Sequence, residues 1–125
     1  MLEGNELTSE IIGSAIDVHR NLGPGLLESI YEECMLFELE GRDLLVERQH
    51  EIPVVYKGKK LKQNYRIDLL VNNQVIVELK SVKTIEPIHE AQLLTYLKLA
   101  NKRYGLLLNF NVPAMKQGIK RLLNG

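Results

Sequence analysis

The stretch 65–82, YRIDLLVNNQVIVELKSV, restricts this chain more than any other, because it sets Asp68, Glu78 and Lys80 inside two largely apolar strands. Residues 65–71 and 75–82 are rich in Ile, Val and Leu, and Asn72-Asn73-Gln74 between them suits a tight turn, so the stretch reads as a β-hairpin. Side chains alternate along a strand, which puts Glu78 and Lys80 on one face and Leu79 on the other. Asp68 lies in the middle of the partner strand, where the turn brings it opposite or diagonal to Glu78. Two carboxylates and an ammonium therefore converge.

Buried charges need a partner, a hydrogen bond or a metal. One reading is an oxygen site for a Mg2+-like ion, made by Asp68 and Glu78 with the Leu79 carbonyl and waters, and with Lys80 holding a water beside it. The other is a salt bridge between Lys80 and one acid on a solvated sheet face. Spacing alone leaves both open.

The rest of the chain supplies the support for this hairpin. Ile11, Ile12, Ala15, Ile16 and Val18 mark a first helix over about 7–20, with Thr8 or Ser9 as its cap, and Asn21-Leu22-Gly23-Pro24-Gly25 ends it. A second helix over about 26–40 carries an apolar stripe of Leu27, Ile30, Tyr31, Cys34 and Phe37 and stops at Gly41. Near its start, Glu28 is either a further acid for the site or a carboxylate favoured by the helix dipole. Residues 44–56 read as a strand bent near Pro53, which points to a sheet edge. The turn at Lys57-Gly58-Lys59-Lys60, with Lys62, is the densest positive charge in the chain, a solvated turn or a contact for phosphates.

Beyond the hairpin, Pro87 opens a helix over 87–100 on which His89, Gln92 and Tyr96 form a polar stripe beside apolar Leu93, Leu94, Leu97 and Leu99. Residues 104–110, YGLLLNF, are apolar throughout, as in a strand covered on both faces. A last helix is expected over 113–123, with Lys116, Lys120 and Arg121 on its polar side. The order α-α-β-β-β-α-β-α implies an α/β fold, a mixed central sheet with helices on both faces.

Composition is that of an ordinary globular chain, and one domain over 1–125 is expected. With 16 basic and 16 acidic residues there is no global basic field, so any contact with nucleic acid must come from local patches. The single Cys34 excludes an internal disulfide framework. No apolar run is long enough for a membrane span and the N-terminus has no apolar leader segment, so a cytoplasmic protein is expected.

Asp68, then Glu78-Leu79-Lys80 on the second strand of a hairpin, then a helix with Gln92-x-x-x-Tyr96, resembles the PD-(D/E)XK nuclease superfamily. A narrower resemblance is to the GxxExxY proteins, whose motif stands here as Gly25-Leu-Leu-Glu28-Ser-Ile-Tyr31, preceded by His19, Leu22, Gly23 and Pro24. It continues through YRIDLLV, VIVELK, HEAQLLTYL, GLLLNF and GIKRLLNG, over nearly the whole chain. The superfamily's proline before the aspartate is replaced here by Ile67.

The resemblance implies a three-layer restriction-endonuclease-like core and Mg2+-dependent phosphodiester cleavage, with Mn2+ as an alternative ion. It implies Asp68 and Glu78 as metal ligands, to which the hairpin reading adds the Leu79 carbonyl, with Lys80 as the catalytic lysine and Glu28 as a further acid. Gln92, Tyr96, His89 and Tyr31 would support the site or contact the substrate. DNA is the expected partner, then RNA, with a homodimer or protein partner conceivable. The competing function is a catalytically silent nuclease-fold module that binds nucleic acid or a protein.

Overall fold

The computed structural model describes residues 2–125. Two helices come first, α1 (Gly4–Leu22) and α2 (Glu28–Gly41), followed by strands β1 (Val46–Tyr56), β2 (Lys59–Val71) and β3 (Val75–Lys80). Helix α3 (Pro87–Ala100), β4 (Tyr104–Asn109), a 3-10 turn (Met115–Gly118) and β5 (Ile119–Leu123) complete the described chain. The strands lie in sequence order, β1-β2-β3-β4-β5, and every neighbouring pair is antiparallel except β3 with β4. That parallel pair is joined through α3, as a parallel connection requires a crossover.

The sheet divides two cores. Leu7, Ile11, Tyr31, Met35 and Leu39 from α1 and α2 pack against Leu69, Val77, Leu79, Leu106 and Leu108. On the other side Leu93 and Leu97 of α3 pack against Ile52, Ile67, Leu70, Ile76 and Leu107. Alternation along β3 and β4 thus fills both layers, which is why these strands read as unbroken apolar runs. Asn72 and Asn73 both take positive φ, 49° and 55°, in the β2–β3 turn, and the Gln74 N–H donates to the Val71 carbonyl. Asparagine tolerates that conformation, so the turn is tight and the hairpin register fixed.

Two expectations fail. The segment expected as a last helix over 113–123 is a 3-10 turn followed by β5, whose residues pair with β4 from Leu108↔Ile119 to Tyr104↔Leu123. Strand β4 is buried and would otherwise leave one edge of backbone groups unpaired in the core; five residues of IKRLL satisfy that edge. Gly118 makes the turn possible, since a Cβ there would lie 1.9 Å from the Asn109 carbonyl oxygen. Lys120 and Arg121 consequently lie on opposite faces of a strand rather than together on a helix. On α2 the buried face is Tyr31, Glu32, Met35 and Leu39, whereas Leu27 and Phe37 of the expected apolar stripe are 73% and 77% exposed.

Candidate functional site

The β2–β3 ladder pairs Val71↔Val75, Leu70↔Ile76 and Leu69↔Val77, and then opens. At the opening, two carboxylates take the place of backbone acceptors. The Asp68 N–H donates to Glu78 Oε2 at 3.1 Å, and the Leu79 N–H donates to Asp68 Oδ2 at 2.8 Å. Each acid is thereby locked to the other's strand. Glu78 is only 8% exposed and Asp68 is half-buried, so Glu78 does not lie on a solvated face. Lys80 makes no ion pair within 4.0 Å among the described residues, and the simple salt-bridge reading of the hairpin is not realised.

Burial, a hydrogen bond to the Asp68 carboxylate and that carboxylate's charge push the Glu78 pKa from 4.5 up to about 9. Contact with the Asp68 backbone and the Lys80 charge offset this only in part. Near neutral pH the Glu78 carboxyl therefore favours its protonated form. The Tyr96 hydroxyl is also held above its ordinary pKa, by burial first and then by Glu78, so it stays a proton donor.

A cavity of about 280 Å³ opens over the acids, lined by Glu28, Arg66, Asp68, Glu78, Lys80, His89, Gln92, Leu93, Tyr96 and Leu107. Helix α2 brings Glu28, β2 and β3 bring the charged core of the site, and the polar stripe of α3 forms the facing wall. The end of β3 is pinned on both sides. The Phe110 N–H donates to the Lys80 carbonyl at 2.9 Å, and the Asn109 amide clasps Val82, donating to its carbonyl at 2.9 Å and accepting its N–H at 3.1 Å. Ser81 donates its N–H to Glu28 Oε2 at 3.2 Å and its hydroxyl to the Leu26 carbonyl at 2.6 Å. His89 Nδ1 accepts the Glu86 N–H at 3.0 Å, closing a capping box at the start of α3.

Of the residues expected at the site, Tyr31 is the one placed elsewhere. It has no exposed surface, stacks on Phe110 with ring centroids 4.3 Å apart, donates its hydroxyl to the Gly23 carbonyl and accepts the Leu26 N–H. It cannot touch a substrate; it ties down the loop that leads into Glu28. Leu79 contributes its backbone at the fork while its side chain packs into the α1–α2 core. Glu28 lines the cavity, but no group of three or more His, Cys, Asp or Glu side chains closes on one point among the described residues. The donor set that fits a cation is thus the Asp68–Glu78 pair, where a divalent ion would take the place of the Glu78 proton.

Five residues around these acids are not apparent from the motif. Arg66 lies two residues before Asp68 and lines the cavity. Asn109 clasps the strand end described above. Gln49, opposite Asp68 in β1, has φ 48° and leaves a gap in the ladder between Arg48↔Leu69 and His50↔Ile67. Its amide donates to Glu32 Oε1 at 2.6 Å and to Asp68 Oδ1 at 3.4 Å, while Arg48 holds Glu32 Oε2 through Nε and Nη2. At the same point Leu69 belongs to one core and Ile67 to the other, so the hairpin changes layer at Asp68. The position of Arg66 on the Asp68 strand, and that of Glu32 one turn after Glu28, are signals a sequence carries. The left-handed Gln49 is not.

The family model of the PD-(D/E)XK nuclease superfamily matches residues 5–122. The chain belongs to this superfamily. The fold agrees with it: a five-stranded mixed sheet flanked by three helices, consistent with a restriction-endonuclease-like core. Members of the PD-(D/E)XK superfamily generally use divalent metals and act on nucleic acids. No curated protein and no solved structure matches the chain. No helix among the described residues is long and apolar enough to cross a membrane.

Proposed function

We propose that this domain is a metal-dependent nuclease that hydrolyses phosphodiester bonds, with DNA as its first substrate class and RNA as the second. The observation that carries the reading is the fork of Asp68 and Glu78, two carboxylates each bonded to the other's strand, beside Lys80 in a polar cavity. In this reading Asp68, Glu78 and the Leu79 carbonyl hold Mg2+, or Mn2+, with Glu28 as an additional acid. A bound divalent ion would supply charge neutralisation at the scissile phosphate and a more acidic water. Lys80 orients the attacking water or stabilises the charge that develops on the phosphate. The Tyr96 hydroxyl and the Gln92 amide are uncharged groups on the facing wall, suited to hydrogen-bonding the substrate. Tyr31 acts only through the loop it fixes.

The narrower GxxExxY assignment is part of the proposal. It is supported by Gly25, Glu28 and Tyr31 at the motif spacing, and by the Tyr31 hydroxyl bonding across the same loop. A single domain over 1–125 and a cytoplasmic location belong to the same reading. A homodimer or a protein partner is supported by the exposure of Leu27, just before α2, and of Phe37 on it.

The test is cleavage of labelled single- and double-stranded DNA and RNA by wild type and Lys80→Ala, with Mg2+, Mn2+ or chelator. Metal-dependent cutting by wild type alone is the expected result. Metal binding that is lost in Asp68→Ala, without cutting of any substrate, would replace the enzyme by a silent nuclease-fold module.

A further inference from the structure

The zero net charge of the chain conceals a segregation. Residues 55–66 hold five basic side chains, Lys57, Lys59, Lys60, Lys62 and Arg66, and none of the 16 acidic ones, so the remaining eleven basic residues face all sixteen acids and the rest of the chain carries −5. All twelve residues of this segment are exposed. They form the distal half of the β1–β2 hairpin, closed by a two-residue turn at Lys57 and Gly58 with φ 49° and 78°. Because β2 pairs with β3 only from Leu69 to Val71, residues 59–67 have a strand partner on the β1 side alone among the described residues. The hairpin is thus an arm that leaves the sheet at Asp68.

Packing does not explain the charge of the arm. The four lysines enter no ion pair among the described residues; only Arg66 does, through an exposed contact of 3.4 Å with Glu51. Like charges gathered on one hairpin repel one another and are retained at a cost unless an anion covers them. The arm is also continuous with the candidate site. Arg66 lines the cavity, and next to it the half-exposed Tyr65 ring stands 5.2 Å from Tyr96, a cavity residue, at 48°.

We propose that the β1–β2 arm is a nucleic-acid clamp, whose lysines hold the backbone of one flank of the substrate while Tyr65 offers a face to a base near the cut. The inference rests on the nuclease reading for the kind of polyanion. From Asp68 to Lys59 the strand extends about 30 Å at ~3.4 Å per residue. That corresponds to about nine nucleotides on one side of the scissile bond at ~3.4 Å per nucleotide.

The experiment measures binding in chelator, so that cleavage is not needed, with a labelled 20-base-pair duplex and the matching single strand across a salt series. The variant carries Lys57→Gln, Lys59→Gln, Lys60→Gln and Lys62→Gln together. The control carries Lys98→Gln, Lys116→Gln, Lys120→Gln and Arg121→Gln, the same charge change at exposed positions elsewhere. The expected result is that the arm variant loses about 3 to 4 from the slope of log affinity against log salt, close to 0.9 per lysine on duplex DNA, and the control much less. Equal losses in the two variants, or none in the arm variant, overturn the proposal. So does polyglutamate displacing the DNA at equal charge concentration, which would make the arm a site for acidic proteins. Arm-dependent binding without cutting of any substrate sustains the clamp and refutes the nuclease; cutting that is insensitive to the arm does the reverse.

Discussion

Replacing Glu78 by glutamine isolates the most strongly perturbed carboxyl of the molecule. Its pKa rises from 4.5 to about 9 on folding, so between those limits the native chain holds a proton that the unfolded chain has released. Stability is therefore fully present below pH 4.5 and is lost as pH rises toward 9. One proton corresponds to a slope of at most about 1.4 kcal/mol per pH unit, or roughly 2.7 kcal/mol between pH 6 and pH 8. At about 3–5 °C per kcal/mol for a chain of this size, the metal-free wild type should melt roughly 8–14 °C lower at pH 8 than at pH 6. Glu78→Gln keeps a donor to Asp68 but cannot ionise, so its melting temperature should lose this component and approach a flat profile. Adding Mg2+ should raise the wild-type melting temperature more at pH 8 than at pH 6, because the ion competes with the Glu78 proton. Parallel pH profiles for wild type and variant, measured by thermal unfolding in chelator, would refute the reasoning. They would mean that water, not burial, sets the Glu78 environment.

Three further outcomes follow from the same geometry. Tyr31→Phe removes the donor to the Gly23 carbonyl and the acceptor for the Leu26 N–H; it should cost about 1–2 kcal/mol and speed amide exchange at Leu26, read by denaturation and hydrogen exchange. Gly118→Ala forces a Cβ against the Asn109 backbone and should cost more than about 3 kcal/mol in urea unfolding, whereas Gly105→Ala meets only Leu93 and Leu97 side chains at 3.0–3.2 Å and should cost about 1 kcal/mol. Gln49→Leu strips Glu32 and Asp68 of a shared donor, and Mg2+ affinity by calorimetry should fall about 10-fold or more; an unchanged affinity would show that Asp68 is held by Leu79 alone.

The sequence by itself determined whatever depends on local periodicity. The alternation of β3 put Glu78 and Lys80 together and Leu79 opposite, the Asn72-Asn73 turn set the hairpin, and the polar stripe of α3 marked His89, Gln92 and Tyr96 as neighbours. The bend at Pro53 rightly placed β1 at an edge, and the apolar run of β4 placed that strand inside. Only the tertiary structure decided features whose cause lies far along the chain. Residues 119–123 are a strand because the edge of β4 needs hydrogen-bond partners, a demand made by another segment. Tyr31 is structural because Phe110 and the Gly23 carbonyl meet it in space, although its spacing from Glu28 fits a site equally well. The fork itself depends on where the β2–β3 ladder stops, and on Gln49 taking a left-handed conformation opposite Asp68, which no propensity announces. Periodicity is written in neighbouring residues, whereas burial, unpaired edges and a raised carboxyl pKa arise only when distant segments compete for the same space and the same hydrogen bonds.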